Sequence, residues 1–179
     1  MTEIAKVYGQ SLYELAVDES LAEEFRRQLT ALKQIFSEMP EYFRLLSTPS
    51  ISKQERCRLL DDALRDSVHI YILNFLKILT EKGYIRQLFG CMDAFFDLYN
   101  QDNGILPVTA VTAVALSAEQ SERLAQKLSR ITGKTIDLRS RIDPAVYGGV
   151  RLDYDGKRLD DTISHRLDAI RDLLNKTVL

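Results

Sequence analysis

The chain has 179 residues, of which 45% are hydrophobic and 28% charged, with a formal net charge of −2. Those values exclude disordered, collagen-like and membrane-spanning classes, and leave a soluble chain long enough to bury a core without disulfides or metals. Up to Gly104 there are 12 Lys and Arg against 16 Asp and Glu, and beyond it 12 against 10, so neither part has the basic excess of a nucleic-acid binder.

Apolar residues recur at helical spacing from Glu3 to about Asn100, which predicts six helices. The first covers about residues 3–17, with Ile4, Val7, Tyr8, Leu12 and Leu15 on adjoining faces. Ser20 and Glu23 have the spacing of a capping box that opens the second, whose stripe is Ala22, Phe25, Leu29, Leu32 and Phe36. Pro40 suits the first turn of a short third helix over 41–46, because its missing N–H would be unpaired there. Ser52 and Glu55 form a second box, before a helix expected to bury Leu60, Ala63 and Leu64. The fifth spans about 68–82 and stops at Gly83, a residue free to take a left-handed cap. The sixth sets Ile85, Leu88, Phe89, Met92, Phe96 and Tyr99 on one face.

After Gly104 the period changes. Residues 106–116, rich in Val, Thr and Ala, read as a central strand. Ser117 and Gln120 form a third capping box, opening a helix with Leu124, Leu128 and Ile131 inward and Gly133 as its stop. Residues 135–142 alternate as a half-buried strand, with Ile136, Leu138 and Ile142 on one side. A further strand is expected over 146–154, a hairpin at Asp155-Gly156 leading into 157–159, and a last helix carrying Ile163, Leu167, Ile170 and Leu174. The expected fold is α+β and mostly helical: a six-helix bundle over 1–104, then a small α/β domain over 105–179 with a mixed sheet, a β-hairpin and a C-terminal helix.

Catalytic and metal chemistry find little purchase. Cys57 and Cys91 are too far apart for a CxxC pair or a zinc spacing and fit a reducing, cytoplasmic setting. Glu3, Lys6, Glu14 and Asp18 break up the N-terminus, which lacks the apolar core of a signal peptide. Gly133-Lys134-Thr135 resembles the tail of a phosphate loop, but Leu128 stands where that motif needs glycine. Asp153-x-Asp155-Gly156 would put Arg151 first among calcium ligands. His69 and His165 have no nucleophile at a recognisable spacing and read as surface or capping residues. No catalytic residue, cofactor site or metal site is assigned. Gly148-Gly149 inside a strand marks either a bulge or a close approach by another element or a partner.

Helix five is the anomaly. Nine of the twelve residues from Val68 to Leu79 are apolar or Tyr. Val68, Ile72, Phe75 and Leu79 can face a core, which leaves Ile70, Leu73 and Ile78 to be covered by something else. Either the helix is central and wrapped by its neighbours, or it forms, beside helix one, a groove for an amphipathic helix from a partner.

Two stretches then carry a resemblance. The run Ala-Lys-Val-Tyr-Gly-Gln-Ser-Leu-Tyr-Glu-Leu-Ala over residues 5–16, and Arg-Ile-Asp-Pro-Ala-Val-Tyr-Gly-Gly-Val-Arg-Leu over 141–152 with Asp-Asp-Thr-Ile-Ser-His-Arg-Leu over 160–167, resemble the delta-subunit family of bacterial F-type ATP synthases, the counterpart of the mitochondrial oligomycin-sensitivity-conferring protein. Ser11 departs from the alanine frequent in relatives. The resemblance implies a non-catalytic stator subunit, peripheral on the cytoplasmic face of the cell membrane and touching the membrane only through partners. It implies that the bundle grips the N-terminal helix of an alpha subunit between helices one and five, through Tyr8, Ser11, Leu12, Leu15, Tyr71, Asn74 and Ile78. The second domain would hold the C-terminal ends of b subunits, with Gly148 and Gly149 shaping it, and the chain would be monomeric within its complex. Outside that resemblance, a helical adaptor for an unrelated amphipathic helix, or an enzyme acting at the domain junction, are the competing expectations.

Overall fold

The computed structural model describes residues 1–146, 148–154 and 156–160. The chain divides into two compact units, Met1–Tyr99 and Asn100–Leu179. The division falls inside the sixth helix, a few residues before the change of period at Gly104.

The first unit is helical: α1 Glu3–Asp18, α2 Ala22–Glu38, α3 Pro40–Ser47, α4 Lys53–Leu64, α5 Ile70–Lys82 and α6 Leu88–Asp102, with a 3-10 turn, Ile85–Gln87, leading into α6. Its core is made by the apolar stripes. Phe25, Leu29, Leu32 and Phe36 of α2 are buried, as are Leu60 of α4, Ile72, Leu76 and Leu79 of α5, and Leu88 and Phe95 of α6. Burying a side chain of this size removes about 1.5–3 kcal/mol of apolar exposure.

Local signals set most helix ends. Ser52 Oγ accepts the backbone N–H of Glu55, Pro40 takes the first turn of α3, and Gly83 closes α5 at φ +80°. The second helix starts differently from expectation. Ser20 has φ +59° and makes no cap, and α2 begins at Ala22 after Leu21. The reason is the end of α1: Ser20 N–H bonds to Val17 O and Leu21 N–H to Ala16 O, the paired bonds that satisfy a helix C-terminus with one left-handed residue. A residue used to end one helix cannot also take the extended backbone of an N-cap.

The fifth helix is also shifted. Val68 lies outside it, and His69 caps it, Nδ1 accepting the Tyr71 N–H at 3.3 Å. Leu73 is buried with Ile72 and Leu76, contrary to the expectation that it needed outside cover, whereas Ile70 and Ile78 are exposed. Ala63 of α4 is exposed, and Cys57 is buried instead. On α6, Phe89 and Phe96 are only half-buried, while Phe95 is fully buried.

The crossing of α1 and α6 depends on small residues. A Cβ at Gly9 would lie 2.4 Å from the Cys91 carbonyl oxygen, and one at Gly90 would lie 3.0 Å from Cβ of Ala5. The contacts Ala5 to Gly90, Gly9 to Ala94 and Tyr13 to Phe95 advance together along both helices, so α1 and α6 run in the same direction.

The second unit holds a four-stranded mixed sheet in the order β2-β1-β3-β4, with β1 Ile105–Thr112, β2 Thr135–Ile142, β3 Val150–Tyr154 and β4 Lys157–Asp160. β1 is central. It pairs in parallel with β2, and α7, Ala118–Thr132, supplies the crossover that a parallel pair needs. Pro107 is accommodated because pairing of β1 with β3 begins only at Val108. Ser117 and Gln120 form the complete capping box, each side chain bonded to the other's backbone N–H, and Gly133 ends α7 at φ +68°. β3 pairs antiparallel with β4, Tyr154 opposite Lys157.

Three expectations in this unit are corrected. β1 ends at Thr112 rather than 116, where the Thr112 hydroxyl donates to Val114 O and the chain turns. Ile131 is 80% exposed and Ile142 55%, because each lies in the last turn or last position of its element, where no described residue covers it. β3 begins at Val150, so Gly148 and Gly149 precede the strand, at φ +153° and +85°. The last helix expected from Ile163 to Leu174, with His165, lies outside the described residues.

Candidate functional site

The exposed apolar residues of α1 and α5 face one another across a groove of about 430 Å³. α1 contributes Val7, Tyr8, Ser11, Leu12 and Leu15, and α5 contributes Tyr71, Asn74, Phe75 and Ile78. The sequence places these on common faces: Tyr8, Ser11 and Leu15 stand at steps of three and four, as do Tyr71, Asn74 and Ile78. None of the nine is charged.

The two walls run antiparallel. At one end the Tyr8 ring meets Tyr84, just past the end of α5, at 6.0 Å. At the other, Phe25 in the first turn of α2, which follows directly on α1, packs on Tyr71 at 6.5 Å and on His69 at 5.5 Å. The floor is firm: Leu12 and Phe75 are buried, and Tyr8, Leu15 and Tyr71 are half-buried. The rim is open, with Val7 54% and Ile78 45% exposed.

The supports of the groove are polar contacts behind it. Gln28 of α2 accepts the His69 backbone N–H at 2.7 Å, fixing the start of α5. Lys77 pairs with Asp61 of α4 at 2.9 Å, tying the middle of α5 to its neighbour. Thr2 caps α1 and its hydroxyl donates to Gln87 Oε1 at 2.8 Å, anchoring the opposite end.

All seven residues singled out on these helices, Tyr8, Ser11, Leu12, Leu15, Tyr71, Asn74 and Ile78, line this one groove. Gly148 and Gly149 lie in the other unit. Sequence reading missed Val7 and Phe75 as lining residues. Val7 is four residues from Ser11 and Phe75 four from Tyr71, a spacing that puts them on the same wall, although Phe75 also stands on the face that can serve the core. Among the described residues no group of three His, Cys, Asp or Glu is placed to hold a metal ion, and no helix is long and apolar enough to cross a membrane.

An uncharged groove with largely apolar walls and an open top has the form of a surface that can receive a helix side-on. The profile of the ATP synthase delta (OSCP) subunit family matches residues 4–174. The chain is 28% identical over 176 residues to the ATP synthase subunit delta of Alkaliphilus oremlandii, covering 98% of each. It is 30% identical over 169 residues to that of Lacticaseibacillus casei, covering 94% of this chain and 93% of the relative. A chain in the cryo-EM structure of the Toxoplasma gondii mitochondrial ATP synthase hexamer superposes with a TM-score of 0.81 over 97% of this chain and 98% of that one. At 18% identity that last likeness is one of fold.

Proposed function

The chain belongs to the ATP synthase delta (OSCP) family and serves as a stator subunit of the ATP synthase, and we propose that it does so by gripping the catalytic head through the α1–α5 groove. The occupant is the N-terminal helix of an alpha subunit. Helices α1 to α6 act together as the bundle that presents the groove, and the sheet unit, shaped at Gly148 and Gly149, holds the C-terminal ends of b subunits. In this reading the chain works without catalysis of its own, as one copy on the cytoplasmic face of the membrane.

The observation that carries the proposal is the groove itself, uncharged, with two antiparallel walls and exposed Val7 and Ile78 at its rim. The physical demand is mechanical. A rotor turning inside the head drags the head with it unless the head is fixed to the membrane sector, so the link must hold under torque. A standard interface of about 1,600 Å² reaches nanomolar affinity, about −12 kcal/mol, when its anchors are well packed. Tyr8 and Ile78 are the anchors, and truncating such a residue typically costs about 2 kcal/mol or more.

The test uses the full chain and a synthetic peptide of the N-terminal segment of the alpha subunit from the same organism. The peptide binds, and Ile78→Asp weakens binding by at least about tenfold, or about 1.4 kcal/mol, with an unchanged helical circular dichroism spectrum. Absence of binding, or an unchanged affinity in the folded variant, overturns the groove assignment.

A further inference from the structure

The antiparallel walls set the groove residues in three rungs. With Tyr8 at the Tyr84 end and Tyr71 at the Phe25 end, the equal spacing of Tyr8, Ser11 and Leu15 on one wall and Ile78, Asn74 and Tyr71 on the other matches Tyr8 with Ile78, Ser11 with Asn74 and Leu15 with Tyr71. Each outer rung joins an aromatic to an aliphatic residue, and the middle rung joins two polar ones. Seven residues separate the outer positions on each helix, about 10 Å along the axis at 1.5 Å per residue.

The polar groups of the middle rung are unspent. Four of the five Ser and Thr residues inside α1 to α6, Thr30, Ser37, Ser47 and Thr80, donate to the carbonyl four residues back. Ser11, the fifth, makes no such bond, and it is exposed. The amides of Gln10, Gln28 and Gln34 pair with glutamates on their own helices, whereas Asn74 is exposed with no hydrogen-bond partner among the described residues. A helix that covers this rung with apolar atoms strips water from a hydroxyl and an amide without replacing its hydrogen bonds, which is unfavourable for each group. A helix that offers a donor or acceptor there satisfies both.

We propose that Ser11 and Asn74 form a register lock: the groove selects an amphipathic helix whose apolar face is broken at its centre by one hydrogen-bonding side chain, flanked on each side by an apolar anchor. A single polar position in an otherwise apolar seam sets register in the same way in coiled coils. The inference rests on the groove being the binding site for the alpha-subunit helix and adds what that helix must carry and which residues read it. A helix sliding by one turn in the groove brings an apolar residue over Asn74, so the lock opposes a shift of register.

The experiment is a leucine scan of the alpha-subunit peptide, measured by fluorescence anisotropy against the wild-type chain and against Asn74→Leu and Ser11→Ala. Both substituted positions are exposed, so the variants fold. One peptide position is expected at which leucine weakens binding to the wild-type chain by about tenfold, or about 1.4 kcal/mol. At that position alone, Asn74→Leu removes or reverses the loss, and Ser11→Ala removes part of it. The proposal is overturned if the leucine penalties are the same in all three proteins at every position. Failure of the unmodified peptide to bind the wild-type chain is a different result: it removes the groove assignment, and the lock with it.

Discussion

Gly9 of α1 approaches Cys91 of α6 so closely that the backbone of one helix occupies the space of a side chain on the other. A Cβ at Gly9 would stand 2.4 Å from the Cys91 carbonyl oxygen and 2.6 Å from Cβ of Ala94. Because α1 is also a wall of the groove, this contact sets where Tyr8 and Ser11 stand relative to α5. Gly9→Ala gains about 1 kcal/mol of helix propensity but forces two backbones apart, at an overpacking cost of about 1–3 kcal/mol. The expected result is a lower urea midpoint together with weaker binding of the alpha-subunit peptide. A variant more stable than the wild type in urea unfolding would show that α6 yields freely.

Phe95 holds the same region from the other side. It is fully buried, meets Tyr13 edge-on at 5.4 Å and stacks with Tyr99 at 6.5 Å. Phe95→Ala is expected to cost about 3–5 kcal/mol, a large share of the 5–15 kcal/mol typical of a domain. Urea titration followed by circular dichroism measures it.

The helical unit carries an acid-sensitive contact. Glu23 is bonded to Arg26 at 2.8 Å and accepts the Tyr99 hydroxyl, and these bonds, Arg26 first, hold its carboxyl down to about 2. A carboxyl depressed on folding stabilises the native state above its ordinary value of 4.5 and loses that contribution as pH falls from there toward about 2. The Glu23 side chain is 66% exposed, so solvent screening limits the effect to at most about 1 kcal/mol. Between pH 5 and pH 2.5 the wild type should therefore lose more stability than Glu23→Gln, and parallel pH profiles would show that the contact contributes nothing.

The two thiols should be inert in the native protein. Cys91 is fully buried, and burial pushes its thiol up to about 11; burial also raises that of Cys57. The thiolate is the reactive form, so maleimide labelling at pH 7 is expected to be slow for both until denaturant is added. Rapid labelling without denaturant would reveal local opening of α6 or α4.

The sequence by itself determined most of the described elements and many of their ends. Ser52, Ser117 and Gly133 act through bonds or dihedral preferences that span three or four residues, and the stripe from Phe25 to Phe36 needs only its own period to be read. The residues of the groove walls could likewise be assembled from the two helices, since steps of three and four fix which side chains share a face. What lay beyond reach depends on neighbours distant in the chain. Ser20 carried a valid N-cap signal and was taken instead by the end of α1, because the link there is too short for both uses. Leu73 and Ala63 exchanged their expected environments, and Phe95 outranked Phe96, because a helix stripe is wide enough to be rotated by whatever packs on it. The antiparallel run of α1 and α5, which puts Ser11 across from Asn74, and the closeness of Gly9 to Cys91 are properties of helix crossings. Periodicity describes one helix about its own axis, and only the packed tertiary structure decides which axis lies beside it and in which direction.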